Sequence, residues 1–203
     1  MYLVGLTGGI AAGKSTVAKR LVELGAIEVD ADLLAREAVA PGSDGLKAIV
    51  AKWGERTLSD DGELDRAAMA KIIFDDPKQR DLLEDIVHPA VAARSREMIL
   101  SAGEDSIVIY NVPLLVEANV QLPFDLVVTV EAPQESQIDR MIKHRGMTRD
   151  EAAARIRAQA TPAQRAARAD VILNSNQSLG RLMDDIDSLW ATLASAAAKK
   201  ANK

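Results

Sequence analysis

The 203-residue sequence contains no cysteine, no long hydrophobic run and no excess of basic residues. Without cysteine, disulfide bonds, thiolate metal sites and a cysteine nucleophile are excluded. The apolar run at the N-terminus, Tyr2–Leu6, is too short for a signal peptide or a membrane span, and charged residues recur from Lys14 onward. We therefore expect a soluble protein of the reducing cytoplasm, with no membrane partner.

The net charge of −5 restricts the class of ligand. Binding to nucleic acid usually requires a broad basic surface that meets phosphates, so we expect no nucleic-acid partner. A small anionic ligand needs only a local group of cations, for which Lys14, Arg36, Arg140 and Arg145 are candidates.

With 48% hydrophobic residues the chain can bury a sizeable core. We predict a monomer with a single domain over residues 1–203.

Short apolar runs with β-branched residues alternate with segments of helical spacing, which is typical of an α/β fold with a mainly parallel sheet. Residues 32–105 show helical stretches but no convincing strand, and we interpret them as a helical insertion that binds substrate. A second helical segment covers residues 134–160. The predicted strands are Tyr2–Leu6, Ala26–Val29, Ile107–Tyr110, Leu126–Val130 and Val171–Leu173.

Helix boundaries are indicated by a few residues. Thr148 and Glu151 have the spacing of a capping box, so a helix should restart there after a break at Gly146. Pro77 and Pro89 each suit the first turn of a helix. The Ala- and Lys-rich sequence that follows residue 190 is typical of a frayed helix or a tail.

One motif points directly to chemistry. It matches the spacing G-x-x-x-x-G-K-[ST], follows a predicted strand and opens a helical segment, as a phosphate-binding P-loop does. Its backbone N–H groups and the positive end of the helix would bind phosphate oxygens. Lys14 would reach the β- and γ-phosphates, and the Ser15 hydroxyl would ligate Mg²⁺. The predicted nucleotide-binding residues here are Gly8, Gly9, Ile10, Ala11, Ala12, Gly13, Lys14, Ser15 and Thr16.

A P-loop alone leaves three classes open: a switch GTPase, an ATPase motor and a small-molecule kinase. The sequence has no Asn-Lys-x-Asp run to recognise guanine and no Asp-x-x-Gly switch motif, which counts against a GTPase. An ATPase motor usually has a larger chain and a clear acidic residue at a strand end. Here one predicted strand is followed by Asn111 and another by Glu131. The pattern favours a kinase.

Asp30 and Asp32 follow the second predicted strand, at the sheet edge where ligands bind in open α/β folds. Phosphoryl transfer to a hydroxyl needs a carboxylate that accepts the hydroxyl proton. Asp32 and Arg36 would share one face of the next helix. An equally acceptable interpretation is structural, with Asp30 as a helix cap and Asp32 and Arg36 as a surface ion pair of about 0.3 kcal/mol.

The sequence resembles the dephospho-CoA kinase family over most of its length. The start of the chain through the P-loop and the segment Val29–Asp32 with Arg36 resemble the first two motifs of that family. Later elements resemble its His-Pro and Pro-Leu-Leu-x-Glu motifs, and the order of all of them is specific to the family. These later residues are His88, Pro89, Pro113, Leu114, Leu115, Glu117, Arg140, Arg145, Arg155, Ile156 and Gln159.

The resemblance implies a three-layer P-loop NTPase fold with a five-stranded sheet and a helical lid at residues 134–160. It implies ATP as donor, Mg²⁺ as cofactor and dephospho-CoA as acceptor, with phosphoryl transfer to the ribose 3′-hydroxyl. Catalysis would depend on Lys14, on Asp32 as base and on Arg140, which would close over the transferring phosphoryl group. Arg145 and Asn174 would bind ATP, and the acceptor pocket would contain Asp32, Arg36, His88, Pro113, Leu114 and Leu115.

Two positions depart from the usual pattern of the family. Ala11 and Ala12 replace Gly-Ser in the loop, where alanine adds little bulk near the phosphates. Asn111 replaces a frequent acidic residue, so this strand end offers no carboxylate for a metal. Another kinase acceptor, or a nucleotide-dependent switch without chemistry, would be the alternatives to dephospho-CoA phosphorylation.

Overall fold

The structure is a computed structural model that describes residues 1–74, 76–118, 120 and 122–202. The described chain divides into two compact units, one of residues 1–30 and 102–203 and one of residues 31–101. The second unit covers nearly the same residues as the predicted helical insertion. The assignment of the whole chain to a single domain stays a prediction. Within the described residues, no helix is long and apolar enough to cross a membrane.

The first unit contains a parallel five-stranded sheet with the strand order β2-β3-β1-β4-β5. All five predicted strands are confirmed, and their ends differ from the prediction by no more than two residues. Apolar runs of this kind are expected in strands that are covered by helices. The strands are β1 (Tyr2–Gly8), β2 (Ile27–Asp30), β3 (Ile107–Asn111), β4 (Leu126–Glu131) and β5 (Val171–Asn174).

Five helices of the described chain belong to this unit. They are α1 (Lys14–Glu23), α6 (Gln134–Arg145), α7 (Arg149–Arg157), α8 (Pro162–Arg168) and α9 (Leu179–Ala201). Helices α1 and α9 contribute Leu21, Ile186 and Leu193 to the core formed with Leu6 and Val128 of the sheet. The core thereby packs α1 and α9 against the sheet that contains β1.

The predicted capping box at the start of α7 is confirmed. The Thr148 side chain accepts a hydrogen bond from the backbone N–H of Glu151, and the Glu151 carboxylate accepts from the backbone N–H of Thr148 at 2.8 Å. Hydrogen bonds from Thr148 lower the pKa of the Glu151 carboxyl, first from its backbone and then from its side chain. Gly146 ends α6 in the left-handed conformation, with φ of 62°.

The second unit is helical, with α2 (Ala31–Glu37), α3 (Asp44–Trp53), α4 (Arg66–Phe74) and α5 (Pro77–Ser101). A short 3₁₀ turn, Glu55–Thr57, separates α3 from α4. Its core is formed by the buried side chains of Val39, Ile49, Trp53 and Met69, against which α5 packs Leu83 and Ile86.

The prediction for Pro89 is wrong. Pro77 begins α5 as predicted, but Pro89 lies inside the same helix instead of opening a new one. A proline lacks the N–H that would bond the carbonyl four residues earlier. Because Pro89 is exposed, solvent can hydrogen-bond that carbonyl and the helix continues.

The prediction of a frayed end is also wrong. Helix α9 runs without interruption to Ala201, because Leu193 is fully buried and Ala197 packs on the same core. Near its end, Lys200 donates hydrogen bonds to both carboxylate oxygens of Asp125, at 2.6 and 2.7 Å.

Candidate active site

The P-loop lies between the end of β1 at Gly8 and the start of α1 at Lys14, as the sequence predicts. A Cβ atom at Gly8 would lie 2.4 Å from the backbone oxygen of Val130 in the neighbouring strand, so no other residue fits there. Gly13 has φ of 95°, a conformation that favours glycine. These two glycines allow the chain to leave the sheet, turn and enter the helix within five residues.

Ala11 has a left-handed backbone, with φ of 55°. This conformation costs an alanine roughly 1–2 kcal/mol, a cost that glycine avoids. The small bulk of alanine near the phosphates, expected from the sequence to be harmless, does not remove this backbone cost. The carbonyl of Ala11 accepts a hydrogen bond from Nη1 of Arg140 at 3.0 Å, which helps to hold the strained residue.

Arg140 of α6 and Ser175, just after β5, support the loop together. Nη1 of Arg140 donates to Oγ of Ser175 at 3.0 Å, and Nη2 donates to the Ser175 carbonyl at 2.9 Å. The Ser175 hydroxyl in turn donates to the carbonyl of Ala12. These contacts fix the guanidinium beside the loop backbone. Ser175 could not be identified from the sequence, because a single serine after a strand has no recognisable pattern.

Two glutamine side chains hold both backbone polar groups of Ile10. Nε2 of Gln137 donates to the Ile10 carbonyl at 2.9 Å, and Oε1 of Gln159 accepts from the Ile10 N–H at 2.8 Å. Gln137 belongs to α6, whereas Gln159 follows α7. Together with the bond from Arg140 to the Ala11 carbonyl, the helical segment 134–160 is therefore hydrogen-bonded to the first half of the P-loop at three points.

The Lys14 ammonium donates a hydrogen bond to Oδ1 of Asn111 at the end of β3. Nδ2 of Asn111 donates to Oε1 of Glu28 in β2 at 2.6 Å. The predicted phosphate-binding lysine is thus connected through an amide to a carboxylate on the neighbouring strand. Ser15 and Thr16 lie in the first turn of α1, and Ser15 is exposed.

Glu131 at the end of β4 is neutralised by Arg165 of α8, whose Nε and Nη2 each lie 2.6 Å from a carboxylate oxygen. Nη1 of Arg165 donates to the carbonyl of Ala160, next to α8. Glu117 accepts from the N–H of the same Ala160 at 2.7 Å. Both acidic residues therefore hold the segment between α7 and α8.

The family model for dephospho-CoA kinase matches residues 2–180 of the sequence. The chain belongs to the dephospho-CoA kinase family. A relative named dephospho-CoA kinase from Streptomyces avermitilis is 48% identical, over 95% of this chain and 94% of its own. A second, from Thermobifida fusca, is 44% identical over 95% and 96%. A solved structure of a Thermus thermophilus protein superposes with a TM-score of 0.82, at 32% identity over 95% and 97% of the two chains.

Several residues suggested by the resemblance to dephospho-CoA kinases lie in the helical unit. Asp32 and Arg36 are exposed and four residues apart on α2, so they share a face of that helix. His88 is exposed in the middle of α5. The same unit contains a groove of about 430 Å³. None of the predicted acceptor residues lines this groove. Its lining residues are Ala48, Ala51, Lys52, Leu82, Asp85 and Ile86.

The remaining candidates lie in the sheet unit. Leu115 is fully buried and packs near Gly5, which favours a structural role, whereas Leu114 is 46% exposed. Pro113 accepts a hydrogen bond from the Thr7 hydroxyl at 3.1 Å through its carbonyl. Arg145 ends α6 and is exposed. Asn174 ends β5, and its side chain accepts from the N–H of Asn176 at 2.8 Å.

Proposed function

We propose that this protein transfers the γ-phosphoryl group of ATP to the ribose 3′-hydroxyl of dephospho-CoA, giving coenzyme A and ADP in the last step of CoA biosynthesis. The observation that supports this most strongly is the match to the dephospho-CoA kinase family over residues 2–180, which includes an intact P-loop. The fold alone supports only a nucleotide-binding protein, because P-loop folds serve many reactions.

The phosphates of ATP are assigned to the P-loop. Backbone N–H groups of residues 8–16 and the N-terminal end of α1 would bind phosphate oxygens, and Lys14 would neutralise charge on the β- and γ-phosphates. The contacts from Arg140, Ser175, Gln137 and Gln159 hold the loop in one conformation. Preorganised donors stabilise the transition state because they need no reorganisation during the reaction.

Asp32 is proposed as the base that accepts the proton of the 3′-hydroxyl. Its exposed position in the first turn of α2 leaves the carboxylate accessible to an acceptor. Arg36, His88, Pro113 and Leu114 are kept as proposed acceptor contacts. Leu115 is a proposed acceptor contact as well, and its side chain is buried in the core.

Arg140 is proposed to stabilise the transferring phosphoryl group. Its guanidinium already bonds the loop and Ser175, and it carries more N–H donors than these contacts use. Arg145 and Asn174 are proposed ATP contacts, the latter near the adenine. Both are exposed, as a contact with a dissociating nucleotide requires.

Mg²⁺ is proposed to enter with ATP. The donor set fits this ion, because the exposed Ser15 hydroxyl is an oxygen ligand. The described residues contain no cluster of three or more His, Cys, Asp or Glu that could hold a metal ion. Mg²⁺ commonly keeps waters and takes its other ligands from substrate phosphates, so such a cluster is not needed. When bound, the ion would neutralise charge on the β- and γ-phosphates.

The proposal is tested by a coupled assay of ADP release with Mg-ATP, run with and without dephospho-CoA, together with direct detection of CoA. Acceptor-dependent ADP release with formation of CoA is expected. ADP release that depends on another hydroxyl compound in an acceptor panel would identify a different kinase. Slow ATP hydrolysis at a rate that no acceptor changes would indicate a nucleotide switch.

Two variants test the assigned roles. Asp32→Asn should preserve ATP binding and lower kcat by roughly 10²–10⁴-fold, the usual contribution of a general base. Glu37→Gln, on the same helix, is the control and should keep the wild-type rate. Lys14→Ala should weaken ATP binding and rate together, whereas Lys19→Ala in α1 should change neither. A near-wild-type rate of Asp32→Asn would remove Asp32 as the base.

We also propose that the protein acts as a cytoplasmic monomer without nucleic-acid or membrane partners. The negative net charge supports the absence of a nucleic-acid partner. Light scattering coupled to gel filtration would measure the mass, and a dimer mass would contradict this proposal.

A further inference from the structure

The side chain of Asn111 lies between a cation and an anion. Its Oδ1 accepts a hydrogen bond from the Lys14 ammonium, and its Nδ2 donates to Oε1 of Glu28 at 2.6 Å. An ammonium only donates and an ionised carboxylate only accepts, so the amide can satisfy both neighbours in a single orientation. The contacts therefore form a directed chain of donors from Lys14 through Asn111 to Glu28.

The sheet register explains how these side chains meet. Asn111 pairs with Asp30 and Ile109 pairs with Glu28 across the parallel strands β3 and β2. Glu28 is therefore the diagonal neighbour of Asn111 on the same face of the sheet, within reach of a long side chain. Asn111 is 3% exposed, and Glu28 is partly buried. A hydrogen-bonded network with such limited access to water is costly to break.

The amide has a specific advantage over a carboxylate at this position. A carboxylate beside Lys14 would form an ion pair with the ammonium and compete with the phosphates for it. Asn111 orients the ammonium without adding a charge, while the carboxylate of Glu28 polarises the amide from the neighbouring strand. A negative charge is thus supplied from the neighbouring strand and is connected to Lys14 through the amide.

We propose that Glu28, acting through Asn111, is a positioning residue for Lys14 in phosphoryl transfer. This inference rests on the proposed function for the identity of the reaction. It concerns the ATP side of the site and makes no assumption about the acceptor. Asn111, which stands where the family frequently has an acidic residue, connects Glu28 to Lys14 in this arrangement.

The first test measures steady-state kinetics of Glu28→Ala and Asn111→Ala. Each should lower kcat/KM for ATP by about 10-fold to 100-fold, the effect of losing a charge-assisted hydrogen bond. The KM for dephospho-CoA should stay within about twofold, which a general loss of structure would not produce. Glu104→Ala, at an exposed glutamate before β3, is the control and should match the wild type.

A double-mutant cycle tests whether Glu28 acts through Lys14. In a Lys14→Ala background, Glu28→Ala should have no further effect on ATP affinity measured by calorimetry. An equal loss of affinity in both backgrounds, or no loss in either, would overturn the proposal. This measurement needs no acceptor, so it remains decisive if the protein makes no CoA, and failure of the acceptor assay alone would count only against the proposed function.

Transposing the charge provides a check that does not remove side chains. Asn111→Asp places two carboxylates in contact and should lower kcat/KM for ATP. Adding Glu28→Gln restores one carboxylate and one amide in the pair, now with the amide donating from β2. The double variant should therefore exceed Asn111→Asp by at least about threefold in kcat/KM, with both melting temperatures recorded. A double variant no more active than Asn111→Asp would show that the pairing of positions 28 and 111 does not affect Lys14, which would overturn the proposal.

Discussion

Arg165 and Glu131 form a bidentate ion pair that joins α8 to the end of β4. Nε of Arg165 lies 2.6 Å from Oε1 of Glu131, and Nη2 lies 2.6 Å from Oε2. The two side chains are only 5% and 16% exposed. A Cβ atom at Gly9 would lie 3.1 Å from Nη2 of the same arginine, so the pair also borders the P-loop. The pair therefore lies between the end of β4, helix α8 and the P-loop.

Replacing Arg165 should be strongly destabilising. Arg165→Ala leaves the largely desolvated carboxylate of Glu131, whose side chain is 16% exposed, without its partner, a change that costs about 3–5 kcal/mol when the pair is fully buried. Urea denaturation would measure the loss of unfolding free energy. Arg168→Ala, at an exposed arginine one turn further along α8, is the control and should change the stability by no more than about 0.5 kcal/mol. Equal effects of the two substitutions would contradict a stabilising role of the pair.

Gln159 should affect ATP kinetics through Ile10. Gln159→Ala removes the oxygen that accepts the Ile10 N–H, a bond worth about 0.5–1.5 kcal/mol, which corresponds to roughly a 2-fold to 10-fold loss in kcat/KM for ATP. Amide hydrogen exchange at Ile10 should accelerate in parallel. Gln134→Ala, at an exposed glutamine in the first turn of α6, should alter neither quantity. Unchanged exchange at Ile10 in Gln159→Ala would show that the contact does not restrain the loop.

The sheet was predictable because its strands are short apolar runs, and the P-loop because its glycines and lysine have fixed spacing. The predictions for Pro89 and for the C-terminal segment were wrong for a common reason. Local sequence describes propensity, whereas solvent access to a carbonyl and burial of Leu193 depend on tertiary packing. A helix that packs along the sheet does not fray merely because its sequence is rich in alanine.

The supporting contacts of the site could not be predicted. Ile10 and Gln159 are 149 residues apart, and Lys14 and Asn111 are 97 apart, so no local periodicity connects them. Amide and hydroxyl side chains such as those of Gln137 and Ser175 have no pattern that separates a buried contact from a surface residue. The departure at Asn111 was visible in the sequence, but the sequence did not show that Glu28 is its hydrogen-bond partner.

The pair of Arg20 in α1 and Asp187 in α9 should make stability depend on pH. The hydrogen bonds from Arg20 lower the pKa of the Asp187 carboxyl below its ordinary value of 3.8, with a smaller contribution from the positive charge itself. A carboxyl with a lowered pKa stabilises the folded state above the unfolded pKa, and this contribution is lost as the pH falls through the folded pKa. Asp187→Asn should therefore lower the melting temperature at pH 7 and have a shrinking effect below about pH 4.

Melting curves between pH 2.5 and 8 would check this dependence, in wild type and in the variant. Asp184→Asn, at an exposed position of the same helix, is the control and should show no such convergence with wild type. A difference between wild type and Asp187→Asn that stays constant down to the lowest pH would contradict the assignment to this ion pair.

The end of α9 should contribute to the stability of the sheet unit. Leu193 is fully buried among residues of β1, β4 and α1, so Leu193→Ala should cost about 2–5 kcal/mol of unfolding free energy. Leu179 lies at the start of the same helix but is 64% exposed, and Leu179→Ala should cost less than about 1 kcal/mol. Chemical denaturation of both variants gives the comparison. The core that contains Leu193 also contains residues of α1, so the Leu193 variant should bind ATP more weakly near its melting temperature. Equal stability of the two variants would contradict a stabilising role for the end of α9.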